Sequence, residues 1–210
     1  ATLVVLIWAW LPTFSLLIFL AISAWHFSGD WKNSITQPLR LGAGALLLLM
    51  PIGFHTEIVM IIFEQLSGEN GSKLAQTLAL PTWLLVSAMG LFAGWAACHQ
   101  QWRAAFEFLM LLALSYLTSP LIYFTVYFCF MHSPRHLLSL FVMAPPQQHS
   151  RLVRMLLTYT LVTLLLGGVL WWLWSTLPTD TLILRLIFIS LAAVTVPHMM
   201  LIATAHFKTA

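Results

Sequence analysis

Residues 127–136 read YFCFMHSPRH, a stretch that places two histidines and one arginine inside a long apolar run. Ionisable side chains are costly in a membrane segment, so they indicate a functional site. His132 and His136 are four residues apart, which puts both imidazoles on one face of a helix, close enough to share a metal ion. Pro134 lies between them and lacks the N–H that a regular helix needs, so we predict a kink or an opened turn there.

The composition predicts an integral membrane protein. Of the 210 residues, 60% are hydrophobic and only 7% are charged, whereas soluble domains carry about 25% charged residues. Apolar runs that can cross a bilayer core of about 30 Å recur along the chain. We therefore predict one integral-membrane domain over residues 1–210, an all-α polytopic transmembrane bundle of about seven helices plus a truncated N-terminal helix.

Prolines and polar stretches divide the chain into segments. The first residues, 1–10, are apolar and lack a charged leader, so we expect that sequence upstream of residue 1 is missing. A turn at Pro12 should end this first segment. The polar stretch 64–76 is predicted as a solvated loop. Helices are predicted at about 14–29, 38–63, 77–98, 104–117, 120–143, 152–175 and 181–205.

Lysine and arginine residues predict the orientation, because they collect in the cytoplasmic loops of membrane proteins. One side of the predicted bundle carries Lys32, Arg40, Arg103, Arg151, Arg154 and Lys208, and the other carries Lys73 and Arg185. We therefore predict that the first side, with the C-terminus, is cytoplasmic. The net charge of +3 is small and spread over loops, which does not favour nucleic-acid binding.

Three further residues lie at the predicted depth of the histidine pair. His26 ends its helix on the cytoplasmic side and can reach the level of His132 and His136. Asp30, four residues after His26, can orient a ligand histidine, with an interfacial His–Asp pair as the alternative. His198, in the last predicted helix, is either a fourth ligand or a hydrogen-bond partner of a ligand or substrate.

Two charged residues need partners at membrane depth. Glu107 should pair with a histidine or an arginine behind the metal, or else bond to Arg103 at the interface. Arg135 points away from the two histidines and needs either a partner or a route to the cytoplasmic interface. His55 lies in the opposite half of the membrane and is a weaker candidate for a cavity wall. Neutral nitrogen ligands suit iron, zinc, copper or nickel, and the spacing alone does not choose among them.

Five sequence blocks are spread along the chain. They are LPTFSLLIFL at 11–20, WHF at 25–27, AFE at 105–107, YFCFMHSPRH at 127–136 and VPHM at 196–199. In this order they resemble the blocks of the Brp/Blh-type membrane β-carotene 15,15′-dioxygenases. The resemblance implies an oxidoreductase that uses O2 and iron, Fe(2+), to cleave β-carotene at its central double bond into two retinal molecules, in the lipid bilayer of a bacterial inner membrane.

The resemblance also implies a ligand set. The family's ligand histidines correspond to His26, His132 and His136. Another family ligand lies in a Pro-His-Gly segment of an earlier helix, which has no counterpart here. We expect that this ligand lies upstream of residue 1, unless His198 replaces it.

A long hydrocarbon substrate requires an apolar tunnel between helices. The alternative for each wall candidate is ordinary packing or lipid contact. The candidates are Phe124, Tyr127, Phe128, Phe130 and Met131, with His55 as a weaker one.

A membrane transporter or channel for a metal ion or a proton is the main alternative from another functional class. Transport predicts polar groups in both halves of the membrane, whereas Glu57 stands nearly alone in the half that lacks the histidine cluster. A retinal-binding rhodopsin is excluded because no lysine lies within a predicted helix. A desaturase-like di-iron enzyme would need more histidine pairs than the single one at His132 and His136.

Overall fold

The structure is a computed structural model that describes residues 2–173, 184 and 187–188, and all regular elements within these residues are helical. The all-α prediction is thereby confirmed. A 3₁₀ turn, Gly29–Trp31, extends α2, and a π-helical turn, Tyr127–His132, joins α8 to α9. Helices α1 to α10 span Thr2–Trp10, Pro12–Ser28, Gln37–Phe54, Thr56–Ser67, Glu69–Leu78, Thr82–Cys98, Trp102–Leu117, Pro120–Val126, Ser133–Met143 and His149–Leu173.

Two described helices are long and apolar enough to cross a membrane, by length and composition. They are Pro12–Trp31, which includes the 3₁₀ turn, and Gln37–Phe54. The pair Glu69–Leu78 and Thr82–Cys98 adds a third span if the two helices, bent by 57°, are counted as one. Membrane-spanning character is thus supported, while the count of about seven helices stays a prediction. The predicted last helix, 181–205, lies almost entirely outside the described residues.

The predicted single helix 38–63 is wrong, because the chain breaks at His55 between α3 and α4. Pro51 lies inside α3 and cannot donate to the Leu47 carbonyl oxygen. The Tyr123 hydroxyl donates to that oxygen instead, at 3.0 Å. The missing hydrogen bond weakens the last turn of α3, which ends three residues after the proline.

The stretch 64–76, predicted as a solvated loop, is helical except around Gly68. Gly68 reverses the chain with a φ of +75°, a conformation that favours glycine. α5 then packs on α4 through Gly71, where a Cβ atom would lie 2.2 Å from a backbone carbonyl oxygen of α4. The polar side chains face outward, as in the exposed ion pair of Glu69 and Lys73 at 2.7 Å. The segment is therefore an amphipathic helix whose polar face resembles a loop in composition.

A close crossing of α2 and α3 at Gly44 positions the end of α2. A Cβ atom at Gly44 would lie 2.1 Å from the Ala24 carbonyl oxygen, so no side chain fits there. His26 lies two residues after Ala24 in α2, so this crossing positions it. The adjoining core contains most of the largest fully buried side chains of the described residues, namely Trp31, Leu47, Met50, Leu85, Met89, Phe108, Leu111, Tyr123 and Tyr127.

We expect Gly44→Ala to destabilise the protein by about 1–3 kcal/mol, as overpacking does, because a backbone carbonyl cannot move aside as a side chain can. Gly90→Ala is the matched control, since a Cβ there meets nothing within 4 Å. That variant should gain up to about 1 kcal/mol from the better helix propensity of alanine. Thermal unfolding in detergent measures both, and equal melting temperatures would contradict the close crossing.

Candidate metal centre

Three histidines meet where α2, the π-helical turn and α9 come together. One ligand nitrogen from each of His26, His132 and His136 lies within 4.8 Å of the other two. The Nε2 atoms of His26 and His132 are 3.2 Å apart. Two nitrogens that are each about 2.1 Å from one ion, at a right angle, are about 3.0 Å apart. The spacing and the donor type therefore fit a metal ion bound by neutral nitrogen ligands.

The π-helical turn Tyr127–His132 sets the direction of the His132 ring. It ends two residues before Pro134, whose ring would clash with the carbonyl group of Phe130 in a regular α-helix. The opened turn that the proline predicts is therefore present, just upstream of it. A π-helical turn bonds residues five apart. Tyr127 and His132 consequently point to the same side of the chain.

The carboxylate of Asp30 lies behind the cluster, with its side chain only 1% exposed. Nδ1 of His132 is 3.1 Å from each carboxylate oxygen, and the Tyr127 hydroxyl donates to Oδ2 at 2.5 Å. Nε2 of His136 is 3.6 Å from Oδ1, which is longer than a hydrogen bond. When Nδ1 of His132 donates its proton to Asp30, the lone pair of Nε2 is available to a metal.

Glu107 and Arg135 connect α7 to the turn that carries Asp30. Arg135 donates through Nη2 to Glu107 Oε1 and through Nη1 to the Asp30 carbonyl oxygen, the latter at 3.2 Å. Glu107 also accepts hydrogen bonds from Arg103 Nε and Trp31 Nε1, each at 3.0 Å. Both partners considered for Glu107, a buried arginine and the interfacial Arg103, are thus present together.

The cluster is buried on one side and open on the other. His132 is 5% exposed, and the Phe27 ring packs edge-on against it with centroids 4.9 Å apart. The His136 side chain is 44% exposed and lines a cavity of about 310 Å³. Most of the other lining residues are polar, so water can reach the cluster from this side. They include Lys32, Asn33, Ser34, Arg103, Glu107, Arg135 and Ser139.

The residues predicted to line the wall of a substrate tunnel differ in how exposed their side chains are. Tyr127 is buried, and Phe124, Phe128 and Met131 are partly buried against the core. Phe130 is 77% exposed. Its side chain therefore lies on the outer surface, where lipid contact explains it better than a place in a tunnel wall.

One predicted residue, His55, lies away from the cluster. Nε2 of His55 contacts the Ser115 carbonyl oxygen at 2.9 Å. His55 lines a second, mostly apolar cavity of about 760 Å³ between α3, α6 and α7, which none of the three clustered histidines borders. His198 lies outside the described residues.

Several hydrogen bonds of the site are not predicted from the sequence, among them those from Tyr127 to Asp30, from Trp31 to Glu107 and from Arg135 to the Asp30 carbonyl oxygen. Residues five apart diverge on an α-helix, so a regular helix predicts only a wall position for Tyr127. Pro134 was the available signal, because the widened turn that accommodates it also redirects Tyr127.

Comparisons with known proteins agree with the resemblance found in the sequence. A family model described as beta-carotene 15,15′-dioxygenase matches residues 1–206. A curated protein named beta-carotene 15,15′-dioxygenase, from uncultured marine bacterium 66A03, is 31% identical to this chain. The alignment is 214 residues long, gaps included, and covers 96% of this chain and 76% of the relative. No solved structure matches the chain significantly.

Proposed function

The chain belongs to the beta-carotene 15,15′-dioxygenase family, and from this premise we propose that it cleaves β-carotene at the central double bond with O2 and Fe(II). The observation that supports the proposal is the cluster of His26, His132 and His136, whose ligand nitrogens lie together. These three histidines would hold the iron. The family membership favours an enzyme over the alternative of a transporter or channel.

The proposed reaction balances without a reductant. The central carbon–carbon double bond breaks, and each of its two carbons takes one oxygen atom of O2, so that two retinal molecules form. Iron, when bound, supplies the activation of O2, as metal cofactors do in oxygenases.

The residues around the cluster would keep it in position. Asp30 accepts the Nδ1 proton of His132 and thereby fixes the orientation of the imidazole. Arg135 binds the carbonyl oxygen of Asp30 and so connects this residue to α7 through Glu107. Phe27 covers the His132 ring and excludes water from that side.

The substrate and the polar reagents would approach from different directions. β-Carotene is a hydrocarbon that dissolves in the bilayer, and many large apolar side chains on the described outer surface are exposed, as lipid contact requires. The polar cavity beside His136 is lined instead by Lys32, Asn33 and Ser34, which follow the 3₁₀ turn at the end of α2. We place this end in the cytoplasm, with the C-terminus, and the protein in a bacterial inner membrane.

Expression of the protein in a bacterium that accumulates β-carotene tests the proposal. We expect the orange colour to fade and retinal to accumulate, measured by extraction and chromatography. Growth of these cells without O2 should stop retinal formation. Removal of iron from the purified protein with a chelator should stop it as well. Persistence of β-carotene with an iron-loaded, membrane-inserted protein would refute the proposed function.

A further inference from the structure

The hydroxyl of Tyr127 makes the shortest contact to the carboxylate of Asp30, at 2.5 Å. From this contact we infer that Tyr127 is a positioning residue of the metal centre, which fixes Asp30 and, through Asp30, the imidazole of His132. The inference rests on the proposed function, because it assumes that the histidine cluster binds iron.

The strength of this hydrogen bond follows from its chemistry and its burial. A hydroxyl that donates to an ionised carboxylate forms a short bond, about 2.5–2.7 Å long and about twice as strong as a neutral one. Tyr127 is 0% exposed and the side chain of Asp30 is 1% exposed. Water therefore has little access to the carboxylate oxygen that accepts the bond, so loss of the hydroxyl leaves that oxygen with one donor fewer.

The π-helical turn supplies both donors that bind the Asp30 side chain. Tyr127 begins the turn and His132 ends it, so that their side chains reach one carboxylate from a single segment. Oδ2 receives the Tyr127 hydroxyl and lies 3.1 Å from Nδ1 of His132. Without the hydroxyl, the side-chain contacts that restrain the carboxylate among the described residues would be the one with His132 and the long one with His136.

A tunnel-wall role predicts a different direction for the Tyr127 side chain. Its hydroxyl points at Asp30, and its ring packs edge-on against Phe27 with centroids 5.2 Å apart. Neither of the two cavities described above is lined by Tyr127. Loss of the hydroxyl should therefore alter the metal centre and leave substrate binding unchanged.

Tyr127→Phe tests this role, with Tyr123→Phe as the matched control. Tyr123 is also buried and also donates its hydroxyl, but to the Leu47 carbonyl oxygen and not to Asp30. We expect Tyr127→Phe to bind Fe(II) about tenfold more weakly, the lower end of the effect of removing a group behind a metal ligand. The absorption spectrum of the Co(II)-substituted protein should change as well. At saturating iron, KM for β-carotene should stay at the wild-type value.

Tyr123→Phe should lower the melting temperature and keep the wild-type affinity for Fe(II) and the wild-type Co(II) spectrum. Wild-type iron affinity in Tyr127→Phe would overturn this inference and leave the proposed function standing. A raised KM for β-carotene in Tyr127→Phe, with unchanged iron affinity, would also overturn the inference, because that result assigns Tyr127 to the substrate path. A wild-type protein that binds no iron would instead overturn the proposed function, and this inference with it.

Discussion

His132→Ala and His136→Ala should each abolish iron binding and the cleavage of β-carotene. Removal of a group behind a metal ligand costs about 10–100-fold in affinity or activity, and loss of a ligand itself should exceed that range. The His132 change should in addition destabilise the protein, because it leaves the buried Asp30 carboxylate without the His132 imidazole. Iron content by elemental analysis and retinal formation by chromatography measure both effects.

His149→Ala is the control for these variants. His149 lies at the start of α10, and its Nε2 contacts the carbonyl oxygens of Phe141 and Ala144 at 3.0 and 3.2 Å, away from the cluster. The control should retain iron and activity. Stoichiometric iron in either cluster variant would remove that histidine from the ligand set.

Local spacing was sufficient to find part of the site. His132 and His136 follow from a four-residue interval, and His26 follows from its depth in a neighbouring helix. Asp30 follows from its position four residues after His26, although that spacing does not predict that it contacts the ring of His132. Asp30 and His132 are 102 residues apart, and a pairing at that separation depends on how the helices pack. The sequence of a single chain does not specify that packing.

The errors in the fold prediction lie in residues 38–76, where composition and periodicity disagree. The polar residues of α5 were assigned to a loop, because its buried face consists of small residues, Gly71 and Ala75, and carries little hydrophobic signal. The predicted orientation does not depend on this error, because α4 and α5 are each too short to add a membrane crossing. α4 has 12 residues and α5 has 10, so at about 1.5 Å per residue neither spans a core of about 30 Å alone.

Glu107→Ala should destabilise the protein by about 2–4 kcal/mol, since loss of one partner leaves Arg135 partly buried without its carboxylate. The side chains of Glu107 and Arg135 are 12% and 18% exposed, and the polar cavity gives some hydration, so we expect less than the full cost of a dry ion pair. Arg103→Ala is the control. Its side chain is 78% exposed, and the loss of such a surface pair costs at most about 1 kcal/mol. Thermal unfolding in detergent compares the two variants.

A double variant, Glu107→Leu with Arg135→Met, separates stability from function. An apolar pair of similar size removes the unpaired charge and should recover most of the stability lost in Glu107→Ala. It does not restore the hydrogen bond from Arg135 to the Asp30 carbonyl oxygen. If that bond positions Asp30 behind His132, the double variant should unfold near the wild-type temperature and still bind iron weakly. Wild-type iron affinity in this variant would show that Glu107 and Arg135 stabilise the fold and contribute nothing to the metal centre.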